Sequence, residues 1–235
     1  MKPQRRIASC LFARVRVAGC ASTEVSNRER YEGPPLAKPD RIIIYDFTAD
    51  PAEVPANSAF AAQVAEAPPL TPEQEELSRK LGAEVAKQLV ADLQAMGLPA
   101  VLAEGQPAPQ PDDIVIRGYF ISVDQGSAAE RVLIGFGTGD AELSTAVEGY
   151  QMTAQGLRQL GRGEIRSGGG KMPGVILPLA VVAATANPIG LIVGGAVKLT
   201  GEATGQGTIE GAAKRTASEI AEQLHEAAQR QGWIS

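Results

Sequence analysis

Asp113-Ile-Val-Ile-Arg-Gly-Tyr-Phe-Ile-Ser-Val-Asp124 is the stretch on which the fold of this chain turns. β-branched and aromatic residues fill it, acidic residues bound it, and its side chains alternate between two faces. The alternation puts Ile114, Ile116, Gly118, Phe120 and Ser122 on one face, and Val115, Arg117, Tyr119, Ile121 and Val123 on the other. Upstream, beyond the proline-rich loop Glu104–Pro111, Ala100–Ala103 reads as a short strand. A helix precedes it. Thr71 is its N-cap, Pro72 takes the first helical position and Gln74 completes a capping box. Leu77, Leu81, Val85, Leu89, Leu93 and Met96 recur at helical spacing, and Gly97 followed by Leu98-Pro99 ends the run. Before the Ala/Pro-rich loop Thr48–Leu70 lies Arg41-Ile-Ile-Ile-Tyr-Asp-Phe47, a strand apolar on both faces and so expected inside a sheet. The opening of the domain is therefore β-α-β.

Downstream, Ala128–Ile134 reads as a short helix, with Gly135, Gly137 and Gly139 marking a bend. Glu142–Thr153 alternates again, Ala-Gln-Gly-Leu turns, and Arg158–Arg166 returns, which makes a β-hairpin. A final amphipathic helix carries Ile209, Ala213, Ala217, Ile220, Leu224 and Ala228 on its apolar stripe. The fold class expected is α+β: a two-layer sandwich, with a mixed sheet of about five strands, two amphipathic helices and an apolar Gly/Ala-rich helical hairpin.

That hairpin is the reading given to 172–197, an uncharged stretch between Lys171 and Lys198. Its length reaches the roughly 20 residues of a membrane span. Pro173, Pro178 and Pro188 interrupt it, and a proline inside a helix costs about 3 kcal/mol. The halves Gly174–Ala186 and Ile189–Val197 would rise about 20 Å and 14 Å, short of the ~30 Å hydrocarbon core. Buried core helices, a membrane-lying hairpin or oligomer contact, and a single span all remain open. Pro188, Gly190, Gly194 and Gly195 are the candidate packing or membrane-contact residues, since small residues allow close backbone approach.

The first 20 residues form a signal-like segment. Lys2, Arg5 and Arg6 are followed by an apolar region that ends in Val17-Ala18-Gly19-Cys20, which resembles a bacterial lipobox, with Cys20 as the lipidated residue. Acyl chains such as palmitate contribute about 0.8 kcal/mol per buried CH₂, and lasting anchorage takes more than one chain. Ala21, where Asp would signal retention, implies the outer membrane. Arg14 and Arg16 depart from the pattern, because a signal peptide's apolar region excludes charge; a cytoplasmic chain is the alternative. Residues 21–40 read as a polar tether and 41–235 as one α+β domain.

Composition narrows function mainly by exclusion. The 235 residues carry 22 basic and 27 acidic side chains. Five of the basic ones precede Cys20 and no acidic residue does, so the body is more acidic than the net −5 suggests. An acidic body with 4% aromatics is a poor match to nucleic acid. Both cysteines, Cys10 and Cys20, lie in the first 20 residues, which leaves no disulfide framework or cysteine metal site. Gly135-Phe-Gly-Thr-Gly139 is followed by Asp140 where a dinucleotide loop needs its last glycine. Gly168-Gly-Gly-Lys171 lacks the Ser/Thr of a P-loop, with Met172 in that place and Ile165 where the first glycine belongs. His225 is the sole histidine, and Asp46, Asp113 and Asp124 sit at strand ends, where solvated carboxylates are the ordinary reading. No enzyme, cofactor or metal is expected.

The segments GCASTEV, RIIIYDF, LVADLQAMGLPA, DIVIRGYFISVDQGSAAERVLIGFG, VEGYQMTAQG, SGGGK, ANPIGLIVGG and RQGW together resemble a bacterial family of uncharacterised, predicted lipoproteins that carry a domain of unknown function. The resemblance covers nearly everything after Cys20. More distantly, the β-α-β opening, hairpin and last helix are similar in topology to the periplasmic module of the curli secretion lipoprotein. These likenesses imply a non-enzymatic cell-envelope lipoprotein facing the periplasm. It would act through envelope proteins, self-association or membrane-surface contacts, in assembly or secretion. The alternative is a soluble ligand- or peptide-binding module of the same fold.

Overall fold

The computed structural model describes residues 22–61, 69–124, 141–168, 191–193 and 208–234. In chain order these form β1 (Ser22–Glu29), β2 (Ile42–Ile44), α1 (Pro72–Ala95), β3 (Ala100–Leu102), β4 (Ile114–Asp124), β5 (Glu142–Thr153), β6 (Gly156–Gly168), β7 (Leu191–Val193) and α2 (Ile209–Arg230). The sheet order is β1-β6-β5-β4-β2-β3, with β7 beside β4. β2 runs parallel to both β3 and β4, so the β-α-β opening is present and β2 is interior. β4, β5 and β6 are antiparallel, the last two joined as the expected hairpin. The fold is α+β with both helices on one face of a mixed sheet.

Two strands exceed the five expected, for physical reasons. β4 pairs with β2 only through Ile114–Ile116, which leaves its far end an open edge. Leu191–Val193 fills that edge in parallel against Ser122–Asp124, so this part of the expected helical hairpin is a strand. The rest of 172–197 lies outside the described residues. At the other edge, residues 22–29 are no tether. They pair antiparallel with β6 from Ser22↔Gly168 to Glu29↔Arg162, because a polar strand can add to an edge through its backbone alone. Asn27, at φ 49°, lies in the irregularity between Ser26 and Glu29, a conformation that asparagine tolerates. The chain beyond stays docked. Leu36 N–H donates to Gln231 Oε1 (2.7 Å), and Trp233 Nε1–H donates to the Leu36 carbonyl (3.1 Å).

α1 keeps its capping box: Gln74 N–H donates to Thr71 Oγ1 and Thr71 N–H to Gln74 Oε1. Its stripe Leu81, Val85, Leu89 and Leu93 is buried, as are Ile209, Ala213, Ala217, Ile220 and Ala228 of α2. Each fully buried leucine contributes about 1.5–3 kcal/mol. Below them lie Ile42, Ile44, Ile114, Ile116, Phe120, Val123, Leu143 and Ile165. Val123 was expected on the opposite face. The register shift between Phe120 and Ser122 changes the alternation by one residue and turns Val123 toward the helices.

Two interior glycines share one neighbour. A Cβ on Gly82 of α1 would stand 1.7 Å from the Phe47 carbonyl oxygen, and one on Gly118 of β4 would stand 2.0 Å from the Phe47 ring. Phe47 is thus held between helix and sheet at a distance only glycine permits.

The opposite face of the sheet is covered by 50–61. Phe60 packs with Tyr119, Ile121 and Ala146. Glu148, fully buried, accepts hydrogen bonds from the Tyr150 hydroxyl (2.6 Å), the Ala59 backbone N–H (2.9 Å) and Gln159 Nε2 (2.9 Å). Burial, followed by the proximity of Glu148, pushes the Tyr119 phenol up. Tyr150 is also pushed up, by burial and by its hydrogen bond to Glu148. Both phenols stay neutral, and that of Tyr150 donates to Glu148.

Candidate functional site

A cleft of about 180 Å³ opens between the helix-side face of the sheet and the C-terminal half of α2. Its origin lies in three glycines of the hairpin. Gly149 pairs with Gly161, and Gly163 follows two residues on, so β5 and β6 present little side chain beneath α2. A Cβ would fit at Gly163, 3.8 Å from the Ser26 carbonyl oxygen, and at Gly149, 3.5 Å from Ile116 Cδ1, whereas one on Gly161 would stand 2.7 Å from the Glu29 carbonyl oxygen, so Gly161 is required by the close approach of β1. Ile220, Gln223, Leu224, Ala227 and Arg230 of α2 line the side above that gap. The bend at Asn27 brings Val25 and Arg28 to the near wall, and Leu36 and Trp233 close the far end.

The mouth carries charge. Arg28, Arg30, Arg162 and Arg230 stand around it, with side chains between 27% and 48% exposed. Two carboxylates accompany them. Glu29 is occupied by Arg162. Glu226 is shared by three guanidiniums, at 3.1 Å from Arg28, 3.8 Å from Arg30 and 3.6 Å from Arg230. The hydrogen bond from Arg28 holds the Glu226 carboxyl below its ordinary range, and the charges of all three arginines add to the effect. Four guanidiniums over two carboxylates leave positive charge at this mouth, against a chain of net −5. Inside, Gln223 donates through Nε2 to Glu219 (2.8 Å), while its buried Oε1 has no hydrogen-bond partner among the described residues. Apolar walls and a cationic rim can hold a ligand that is apolar at one end and anionic at the other.

The carboxylates named from sequence fall into three environments. Asp113 is buried rather than solvated: it pairs with Arg41 and accepts the Gln110 N–H at 2.8 Å, which closes the loop before β4. Asp46 and Asp124 are exposed. The Asp46 carboxyl is raised by desolvation first and by Glu104 second. His225 stands on α2 within 3.0 Å of the Gln229 amide. None of these lines the cleft. Cys20, Pro188, Gly190, Gly194 and Gly195 lie outside the described residues, as do Ala128–Ile134 and the glycines 135, 137 and 139. Among the described residues there is no cluster of three or more potential metal ligands, and no helix is long and apolar enough to cross a membrane. Sequence reasoning missed the cleft. Its signals were three glycines inside a predicted hairpin and two arginines in a supposed tether.

The fold and cleft define the class: an α+β domain with two helices over a mixed sheet and a ligand-sized opening at its helix side. The particular family follows from sequence, since residues 42–186, more than half of the chain, match the domain of unknown function DUF4410. The chain belongs to that family. Among the solved structures similar to it are two PelC dodecamers from Paraburkholderia phytofirmans. One, a substituted form, is 14% identical, covers 72% of this chain and 92% of its own, and superposes with a TM-score of 0.34. The other is 15% identical, covers 63% and 83%, and has a TM-score of 0.31. Neither superposition is close enough to transfer geometry or role. No curated protein matches the chain in sequence.

Proposed function

We propose that this protein is a non-enzymatic, binding component of the bacterial cell envelope, anchored in the outer membrane by acyl chains on Cys20 and facing the periplasm. The observation that carries the binding role is the cleft. Its lining is mostly aliphatic residues and glycine, with Tyr31, Trp233, Gln223 and Gln231 among them and Glu29 and arginines at the mouth, a set suited to holding a ligand by burial and charge. The lipobox-like Val17-Ala18-Gly19-Cys20 supports the anchor.

The early start of β1 gives the anchor a consequence. Cys20 stands two residues before Ser22, and two residues span at most about 7 Å. An acylated Cys20 would hold the β1 edge of the sheet against the headgroups, with no tether between. The test is intact mass and membrane fractionation in a Gram-negative host, wild type beside Cys20→Ala. The expected wild type lacks residues 1–19, carries acyl mass and sediments with outer membrane; the variant does none of these. A wild type of full, unprocessed mass in the soluble fraction overturns the anchor.

A further inference from the structure

We infer that the cleft between α2 and the β5–β6 hairpin is a site for an anionic amphiphile: a short acyl or alkyl chain bearing a carboxylate or phosphate. The inference rests on reading the cleft as the binding site, and it is independent of the anchor.

Size sets the apolar part. An enclosed apolar cavity of about 150 Å³ accepts a benzene-sized guest, so a cleft of about 180 Å³ takes a short chain segment and not a whole lipid. Charge sets the other end. Arg28, Arg30 and Arg230 compete for one carboxylate, Glu226, so a ligand anion at the mouth meets guanidiniums that a single acid does not satisfy. The residues themselves argue against a purely structural void. A valine at position 163 suits a strand better than glycine, and the space for its Cβ exists.

Trp233 is the sole tryptophan and lines the cleft, so its emission reports occupancy directly. The experiment titrates the full chain carrying Cys20→Ala, which removes the anchor from the measurement. The probes are octanoate and octyl phosphate below their micellar range, with octyl glucoside and inorganic phosphate as controls. Vesicles of anionic phospholipid form a further arm. Both octyl anions are expected to shift Trp233 emission saturably and to displace each other, with octyl glucoside and phosphate at least tenfold weaker.

Three variants fix the site by sign. Arg230→Gln should weaken octanoate about tenfold. Glu226→Gln should strengthen it several-fold, because it frees three arginines. Gly163→Val should fill the gap, abolish the shift and leave the melting temperature equal or higher. Equal affinity for octyl glucoside, weakening by Glu226→Gln, or an unchanged titration in Gly163→Val would each overturn the proposal. A shift seen with vesicles alone would also overturn it, since that locates the affinity on the surface outside the cleft.

Discussion

On the helix side of the sheet, Ile42, Ile114, Ile116, Phe120 and Leu143 meet the leucines of α1 and the alanines of α2, with small hydroxyl contacts such as Ser167–Thr216 and Ser78 to the Ala49 N–H among them. On the opposite side, the same strands place Glu148, Tyr119 and Tyr150 under 50–61, and a buried carboxyl gathers three donors there. The two sides therefore differ in what specifies them. The helix side is set by shape, and a chain with another well-fitting apolar set would keep it. The opposite side is set largely by the donors that Glu148 gathers, because a buried polar group stranded by its loss costs about 1–3 kcal/mol.

The largest expected effect tests shape. Gly82→Ala drives a Cβ into the Phe47 carbonyl oxygen, an atom that cannot rotate away. A loss at or above the upper end of the ~1–3 kcal/mol typical of overpacking is expected in urea unfolding. Gly118→Ala meets the Phe47 ring instead, so adding Phe47→Leu should recover part of that loss while leaving the Gly82→Ala lesion as it was. An unchanged midpoint for Gly82→Ala would break the claim that fit governs the helix side.

The next effect tests hydrogen bonding. Glu148→Leu strands the Tyr150 hydroxyl, the Ala59 N–H and the Gln159 amide, and a loss of about 2–3 kcal/mol is expected. Glu148→Gln keeps one acceptor oxygen for Ala59 and turns its amide toward the Tyr150 hydroxyl, which can accept, so about 1 kcal/mol is expected. Equal losses from the two variants, read by thermal or urea unfolding, would show that volume rather than polarity matters on this side.

Legibility divides along the same line. The helix-side strands and both helices were readable because burial imposes a period, 2 in strands and 3.6 in helices, and the alternation in 114–120 and the stripe from Leu81 to Leu93 record it. The slip at Val123 was not readable, because a bulge leaves no mark in residue type when β-branched residues flank it. β1 was hidden for another reason. An edge strand is held by backbone hydrogen bonds, so Ser22–Glu29 shows no apolar run and reads like a linker. The cleft was hidden because it is made of missing side chains: Gly149, Gly161 and Gly163 look like a weak hairpin until α2 is laid across them. Glycine inside a strand deserves the question of what approaches it.

The smallest expected effect lies where the two coverings meet. Asp46 follows β2, within electrostatic reach of Lys87 from α1 and Glu53 from 50–61. Desolvation and Glu104 raise its carboxyl above 3.8 in the folded chain, with Lys87 opposing and Glu53 adding. A raised acid binds its proton more tightly folded than unfolded, so the charged form of Asp46 weakens folding at neutral pH. That penalty is present above the folded pKa and fades as pH falls through it, until below 3.8 both states are protonated. Asp46→Asn should therefore melt slightly above wild type at pH 7 and level with it near pH 3. The shift should be smaller than those of the buried variants, since the side chain is exposed. A lower melting temperature for Asp46→Asn at pH 7 would mean that the attraction of Lys87 prevails, and that the helix side reaches around the sheet end by charge as well as by shape.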